Sequence, residues 1–328
     1  MQAESHHLPV SEHLLFKGRA GDPRLGEWVL RGEWGNLPPD KRQTIGIWGC
    51  PDDTGVIKNR GRAGAKEGPD SIRKHLYRMT LPMDLEWEKS IRLIDFGNLL
   101  PSSELLETHS RNKSLVENLA ASGITLICLG GGHDFAASNF LGFVHGRRSV
   151  GKKAESFALI NVDPHLDVRE LEEGLPHSGT PFREILSSKA IPGKSLVEFG
   201  ARANRNARSH FSYCQEQKVK VWDLDKMRAG KKTLENLFQA ELQRLSKNHN
   251  TLAATFDMDS CQDAEGMSAA PVAGISAWEL VRLSAIAGKE KKVKYFEVAE
   301  VAPGLDVQER SSRIAAEMIY SFLRARSF

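Results

Sequence analysis

The sequence predicts a single α/β domain, a mainly parallel sheet of about eight strands with helices on both faces. Three observations lead there. Short apolar runs recur through the 328 residues, stretches with helical spacing lie between them, and no Pro/Gly/Ser-rich linker divides the chain. Strands that alternate with helices come out parallel, because each helix carries the chain back across one face of the sheet.

Residues 1–43 are polar, punctuated by Gly and Pro, and contain Trp28 and Trp34. They read as an extension packed on the outside of a domain made by residues 44–328, with His6 and His7 in a solvated tail. The apolar runs then fall at 44–48, 92–96, 124–129, 157–162, 196–199, 219–222, 252–256 and 293–298. Each is short and rich in Val, Ile, Leu or Phe, as a strand buried on both faces requires. Helical spacing appears over 104–121, 234–245, 278–287 and 308–323.

Composition narrows the function classes. A net charge of +3 with scattered basic residues is too mild for a nucleic-acid binder. No apolar run approaches membrane-spanning length, and residues 1–13 lack the apolar core of a secretion signal. The four cysteines, at 50, 128, 214 and 261, form no C-x-x-C pair. Cys128 and Cys50 fall in apolar strands, which suits reduced thiols in the cytoplasm. The expected partner is therefore a small molecule, with a homo-oligomer left open.

In a parallel sheet the ligand site lies beyond the carboxyl ends of the strands. There the sequence places Asp, Glu and His repeatedly. GGGHDF follows Leu129 and carries His133; DPHLD follows Val162 and carries Asp163, His165 and Asp167. Asp257 and Asp259 follow Phe256, and Glu300 follows Val298. On extended backbone the spacing of two puts Asp163, His165 and Asp167 on one face, with Pro164 favouring that conformation. Four carboxylates and two imidazoles at one place call for two divalent cations, with two of the carboxylates bridging them. Hard oxygen ligands with some imidazole suit Mn²⁺ and tolerate Fe²⁺, Co²⁺ or Zn²⁺. The absence of thiolates speaks against structural zinc. His109, His145, His210 and His249 read as solvated.

The motifs GGGHD, DPHLD, FDMD and EVAP resemble the four signatures of the ureohydrolases, which include arginase, agmatinase and formimidoylglutamase. The resemblance runs from about Gly46 to the C-terminus. It implies a three-layer α/β/α domain with an eight-stranded parallel sheet. It also implies two Mn²⁺ per chain held by His133, Asp163, His165, Asp167, Asp257 and Asp259, with Asp163 and Asp257 bridging.

Several stretches lean toward the formimidoylglutamase branch. They are GVIKNRGRAGAKEGPDSIR from Gly55, HSGTPFR from His177, GMSAAPVAGIS from Gly266, and Arg169 where arginases carry a neutral asparagine. The histidine that shuttles protons in arginases aligns with Ser178, and His177 stands one position earlier. Pro164 and Ala264 also depart from the family pattern and leave every ligand in place.

The expected reaction is hydrolysis of N-formimidoyl-L-glutamate to L-glutamate and formamide, with a hydroxide bridging two Mn ions attacking the amidine carbon. Asp167 would move the proton, and Glu300 would hold the amidine by a charge-assisted hydrogen bond. Ser178, Arg60, Arg62, Arg169 and Arg205 would bind the anionic tail, since guanidinium forks match carboxylates. The alternatives are an agmatinase, a guanidinobutyrase or an arginase, or a non-catalytic relative that keeps the fold for binding. The intact ligand set argues against the last.

Overall fold

The structure, a computed structural model, describes residues 6–33, 37, 39–82, 87–150 and 155–326. Trp34 lies outside them.

Among the described residues ten strands form one sheet. In chain order they are β1 (His7–Leu8), β2 (Leu30–Arg31), β3 (Gln43–Gly49), β4 (Ile91–Leu99) and β5 (Thr125–Leu129). They continue with β6 (Phe157–Val162), β7 (Leu196–Ala201), β8 (Lys220–Asp223), β9 (Thr251–Asp257) and β10 (Val293–Ala299). The spatial order is β1-β4-β3-β5-β10-β9-β6-β7-β8, with β2 also on β4. Strands β3 to β10 are all parallel and correspond to the eight apolar runs of the sequence. Helices cover both faces, giving the α/β/α layering.

The two further strands come from the N-terminal segment. β1 pairs antiparallel with β4 through His7 and Leu99, and β2 pairs parallel with it through Leu30 and Ile94. Two-residue pairings carry no periodic signal, and what creates them is the open edge of β4. His7 therefore sits in a strand rather than in a solvated tail. Val10, Leu14, Leu25 and Val29 of the same segment are buried in the main core, and the rings of Trp28 and Trp87 lie 5.7 Å apart.

The four helices expected from spacing appear as Leu105–Ala121, Leu234–Asn248, Ala277–Lys289 and Arg310–Arg326. Helix Phe135–Ser149 escaped that reading because it is buried on nearly every side, which erases the polar stripe. Its Gly146 lets it approach helix Leu105–Ala121 backbone to backbone. A Cβ there would stand 2.1 Å from the Glu117 carbonyl oxygen.

One buried ion pair ties helix Gly68–Leu76 to β4. The fully buried Arg73 donates from Nε to Asp95 Oδ2 at 2.8 Å, and from Nη2 to Asp95 Oδ1 at 3.0 Å and the Gly97 carbonyl at 2.8 Å. Its Nη1 reaches Asn98 Oδ1 at 2.5 Å, and the Tyr77 hydroxyl closes on Asp95. Removing the cation strands a buried carboxylate. Arg73→Ala is expected to destabilise the fold by about 3–5 kcal/mol, read from the midpoint of urea unfolding. A shift below ~1 kcal/mol would show that the network adds little.

Candidate metal centre

The strands β5, β10, β9 and β6 are neighbours in the sheet, so their carboxyl ends lie side by side. From them come His133, Glu300, Asp257 with Asp259, and the 163–167 segment. Local backbone chemistry aims each one. The three glycines after β5 thread between two strand ends. Gly130 donates to the Val298 carbonyl at 2.7 Å, Gly131 to Cys50 at 2.7 Å and Gly132 to Asp52 at 3.0 Å. A Cβ at Gly131 would meet the Asp52 oxygen at 2.0 Å, so only glycine passes. Asp134 then accepts from His109 Nε2 at 2.7 Å, and the His109 ring stacks on Phe135 at 4.7 Å. His109 is thus buried on the inner face of its helix, not solvated, and it braces the turn that carries His133.

The 163–167 segment bends instead of running extended. His165 N–H donates to Asp163 Oδ1 at 2.7 Å, and Asp167 takes a positive φ of 43°. Asn206 holds the bend. Its Oδ1 accepts from Leu166 N–H at 2.8 Å, and its Nδ2 donates to the Pro164 carbonyl at 2.8 Å. Convergence therefore comes from a turn clamped by a distant asparagine, and not from the two-residue period of a strand.

The resulting cluster is compact. His133 Nδ1 lies 3.3 Å from Asp163 Oδ2, 3.1 Å from Asp167 Oδ2 and 3.1 Å from Asp257 Oδ2, with all four side chains buried. Their ligand atoms fall within 4.8 Å of one another. On the other side of Asp163, His165 Nδ1 is 3.3 Å from Asp163 Oδ1 and 3.8 Å from Asp259 Oδ2. Asp163 turns one oxygen to each histidine, as a bridging carboxylate would. Asp257 turns Oδ2 inward, while its Oδ1 accepts from Asp259 N–H at 2.7 Å.

One proton on His133 Nδ1 cannot satisfy three carboxylates at equal distance. A divalent ion can, since donor atoms about 3 Å apart are the edges of an octahedron with bonds of ~2.1 Å. The other ring nitrogen is already occupied, with Nε2 3.0 Å from Thr255 Oγ1. That contact fixes which nitrogen faces the ion. Burial, reinforced by Asp163 and Asp259, raises Asp257 well above the usual carboxylate range. Burial opposes protonation of His133, yet the carboxylates outweigh it and raise its pKa. The donor set, the spacing and the buried negative charge all fit divalent metal.

Beneath the cluster runs a buried row in strand register. Glu198, Asn161, Thr255 and Glu297 stand opposite one another on β7, β6, β9 and β10. Asn161 Nδ2 donates to Glu198 at 2.8 Å, and Asn139 Nδ2 to Glu297 at 2.8 Å. Sequence reasoning passed over these residues. Their signal was an isolated polar letter inside the apolar run, shared in the last strand with Lys294.

A cavity of about 250 Å³ opens above the cluster, and Asp167, Glu300, Ser178 and all four candidate arginines line it. Glu300, at a positive φ of 65°, accepts from His133 N–H at 2.9 Å through Oε1, and its buried Oε2 has no partner among the described residues. Arg62 donates to the Met267 carbonyl at 2.7 Å and the Ser268 carbonyl at 3.1 Å. Exposed Arg60 faces Glu172 at 3.9 Å. Arg169 Nη1 reaches Asn59 Oδ1 at 3.3 Å, and Asn59 Nδ2 donates to Ser178 Oγ at 2.9 Å. Among the described residues the Arg205 guanidinium has no hydrogen bond or ion pair. His177 turns inward, its Nδ1 accepting from Gly179 N–H at 3.1 Å, and leaves the cavity wall to Ser178. His210 also lines the cavity, contrary to the solvated reading; His145 is exposed, and His249 is bonded to Ser195 at 2.9 Å.

Comparison with known proteins agrees with this architecture. The family model described as "Arginase family" matches residues 43–324. A formimidoylglutamase of Staphylococcus epidermidis is 30% identical over 290 residues, covering 87% of each chain. A solved Trypanosoma cruzi formiminoglutamase with Mn²⁺ superposes with a TM-score of 0.78 at 29% identity, covering 93% of this chain and 99% of that one. A formimidoylglutamase structure from Bacillus subtilis shares the fold, with a TM-score of 0.82 at 22% identity over 95% and 94% of the two chains.

Two outcomes are expected. A divalent metal at a hundredfold excess over its Kd should stabilise the protein by about 2.7 kcal/mol, visible as a chelator-reversible rise in Tm, and Asp163→Ala should abolish the rise. Thr255→Val, which leaves the His133 ring N–H without an acceptor, should weaken metal binding by roughly 10–100-fold in a calorimetric titration. Unchanged affinity would show that the threonine does not orient the ligand.

Proposed function

The chain belongs to the arginase family, and from that premise we propose that it hydrolyses N-formimidoyl-L-glutamate to L-glutamate and formamide, with two Mn²⁺ as cofactor. The observation that carries this reading is the polarity of the cavity. Its floor holds the carboxylate cluster and the unpartnered Oε2 of Glu300, and its walls carry the guanidiniums of Arg169 and Arg205. A substrate with a cationic amidine head and an anionic tail matches both ends. Agmatine would bring a second cation to the arginines.

His133, Asp163, Asp167 and Asp257 would hold one ion, and His165 and Asp259 the other, with Asp163 and Asp257 the two carboxylates expected to serve both. Bound there, the ions supply Lewis acidity toward water and substrate. The protein's own residues do the rest. Glu300 Oε2 accepts an N–H of the amidinium and holds the amidine carbon over the cluster. Asp167, at the cavity floor, takes the proton from the attacking water. It returns that proton to the glutamate nitrogen as the C–N bond breaks, and the remaining hydroxyl proton follows to the same nitrogen, so the products are formamide and the ammonium form of glutamate. Arg205 and Arg169 bind the tail, with Asn59 orienting Arg169 and Ser178 together. Arg62 contributes by fixing the 267–268 loop, and Arg60 works at the rim. Four buried free cysteines suit a reducing, cytoplasmic setting. No helix among the described residues is long and apolar enough to cross a membrane.

The test is turnover by the Mn²⁺-loaded protein of formimidoylglutamate, agmatine, arginine and guanidinobutyrate. Formimidoylglutamate should be fastest, and faster agmatine hydrolysis would overturn the assignment. Arg169→Ala should lower kcat/KM on formimidoylglutamate by about 10–100-fold, mainly through KM, with metal content unchanged. The loss falls in KM because the tail contact is the same in ground and transition states.

A further inference from the structure

One side chain in the cavity wall is left without a role by the reaction above. His210 stands in the first turn of helix Arg208–Glu216, half-buried, beside Arg205 and Asn206. Among the described residues its imidazole has no hydrogen bond, ion pair or ring contact. Polar groups are close by but already engaged. Arg183 donates from Nε to the Val168 carbonyl at 2.7 Å and lies over the Tyr213 ring at 4.0 Å. Asn206 spends its amide on the 164–166 bend and on the Arg202 carbonyl. The charged groups acting on His210 are Arg169, Arg183 and His165, and they add to burial in keeping the ring neutral. In either charge state it keeps a ring N–H to give.

We propose that His210 is a specificity-determining residue that donates its ring N–H to a carboxylate of the substrate's anionic tail, next to the guanidiniums of Arg205 and Arg169. This rests on the hydrolase reading above for the identity of the substrate, and on the cavity geometry for the contact. A dicarboxylate tail presents four oxygens with about eight acceptor positions, and two guanidinium forks docked bidentately fill about four of them. A third fixed cation would be repelled by Arg169 and Arg183. A neutral donor adds a hydrogen bond to the carboxylate without that repulsion.

The experiment compares Mn²⁺-loaded wild type, His210→Ala and His210→Gln in two assays. One is steady-state hydrolysis of formimidoylglutamate; the other is calorimetric binding of glutarate, a dicarboxylate without an amidine. His210→Ala should raise KM and weaken glutarate binding, each by about tenfold or more, with kcat, Tm and metal content unchanged. His210→Gln, which keeps a neutral donor, should recover most of both. Glutarate affinity unaffected by the alanine, no glutarate binding by the wild type, or a loss seen in kcat or Tm instead of KM overturns the proposal. If the wild type leaves formimidoylglutamate intact yet binds glutarate in a His210-dependent way, the hydrolase reading fails and the role of His210 stands.

Discussion

The structure depends on one electrostatic constraint. Asp163, Asp167, Asp257 and Asp259 are brought together out of water at the end of a parallel sheet, with only two imidazoles among them. Like charges at this separation in a low-dielectric setting repel by several kcal/mol. The arrangement persists because three of the four acids are held by backbone they cannot leave. Asp163 accepts from His165 N–H, Asp259 from Ala269 N–H, and Asp257 from Asp259 N–H. A pair of divalent ions converts the same repulsion into binding energy, so the rigidity that makes the metal-free site costly is what makes a metal site affine.

That rigidity is built in layers. The nearest support is the bend at 163–167 with its Asn206 clamp, together with the three glycines that place His133. Behind these lies the row of Glu198, Asn161, Thr255 and Glu297 across four strands. It continues through Asn139 to Asn112, whose Nδ2 donates to Asn139 Oδ1 at 2.7 Å and whose Oδ1 accepts from Trp48 Nε1 at 2.8 Å. A buried polar row is costly where a member is left unsatisfied, and Asn161 Oδ1, Glu198 Oε1 and Glu297 Oε2 have no partner among the described residues. Here it sets the orientation of His133 through Thr255 and joins the metal centre to the helix layer.

The cavity above this centre divides its charge. Asp167, Asp257, Asp259 and Glu300 line it together with Arg60, Arg62, Arg169 and Arg205. The four arginines are not equivalent. Arg62 is a strut between two loops and Arg60 a rim residue in solvent. Among the described residues the Arg205 fork has no partner, and Arg169 is tied to Ser178 through Asn59.

The sequence by itself determined the sheet and the identity of the centre. Apolar runs of four to six residues separated by helical stretches are buried as parallel strands under helices, and all eight became β3 to β10. The acids and histidines had to follow those runs, because that is where a parallel sheet opens to ligand. These are local properties, readable from periodicity and from residue type at a strand end. Tertiary structure decided the remainder. Whether Asp163 and Asp167 meet depends on a bend held by Asn206, 40 residues away. His109 is buried on Asp134 and His210 lines the cavity because their helices present those faces inward, which helical spacing alone does not reveal. The N-terminal strands exist because β4 offers an unpaired edge. Which arginine is free and which is a strut follows from the carbonyls each one happens to meet. Contacts between residues distant in sequence leave no period in the chain, so only the assembled fold could assign these roles.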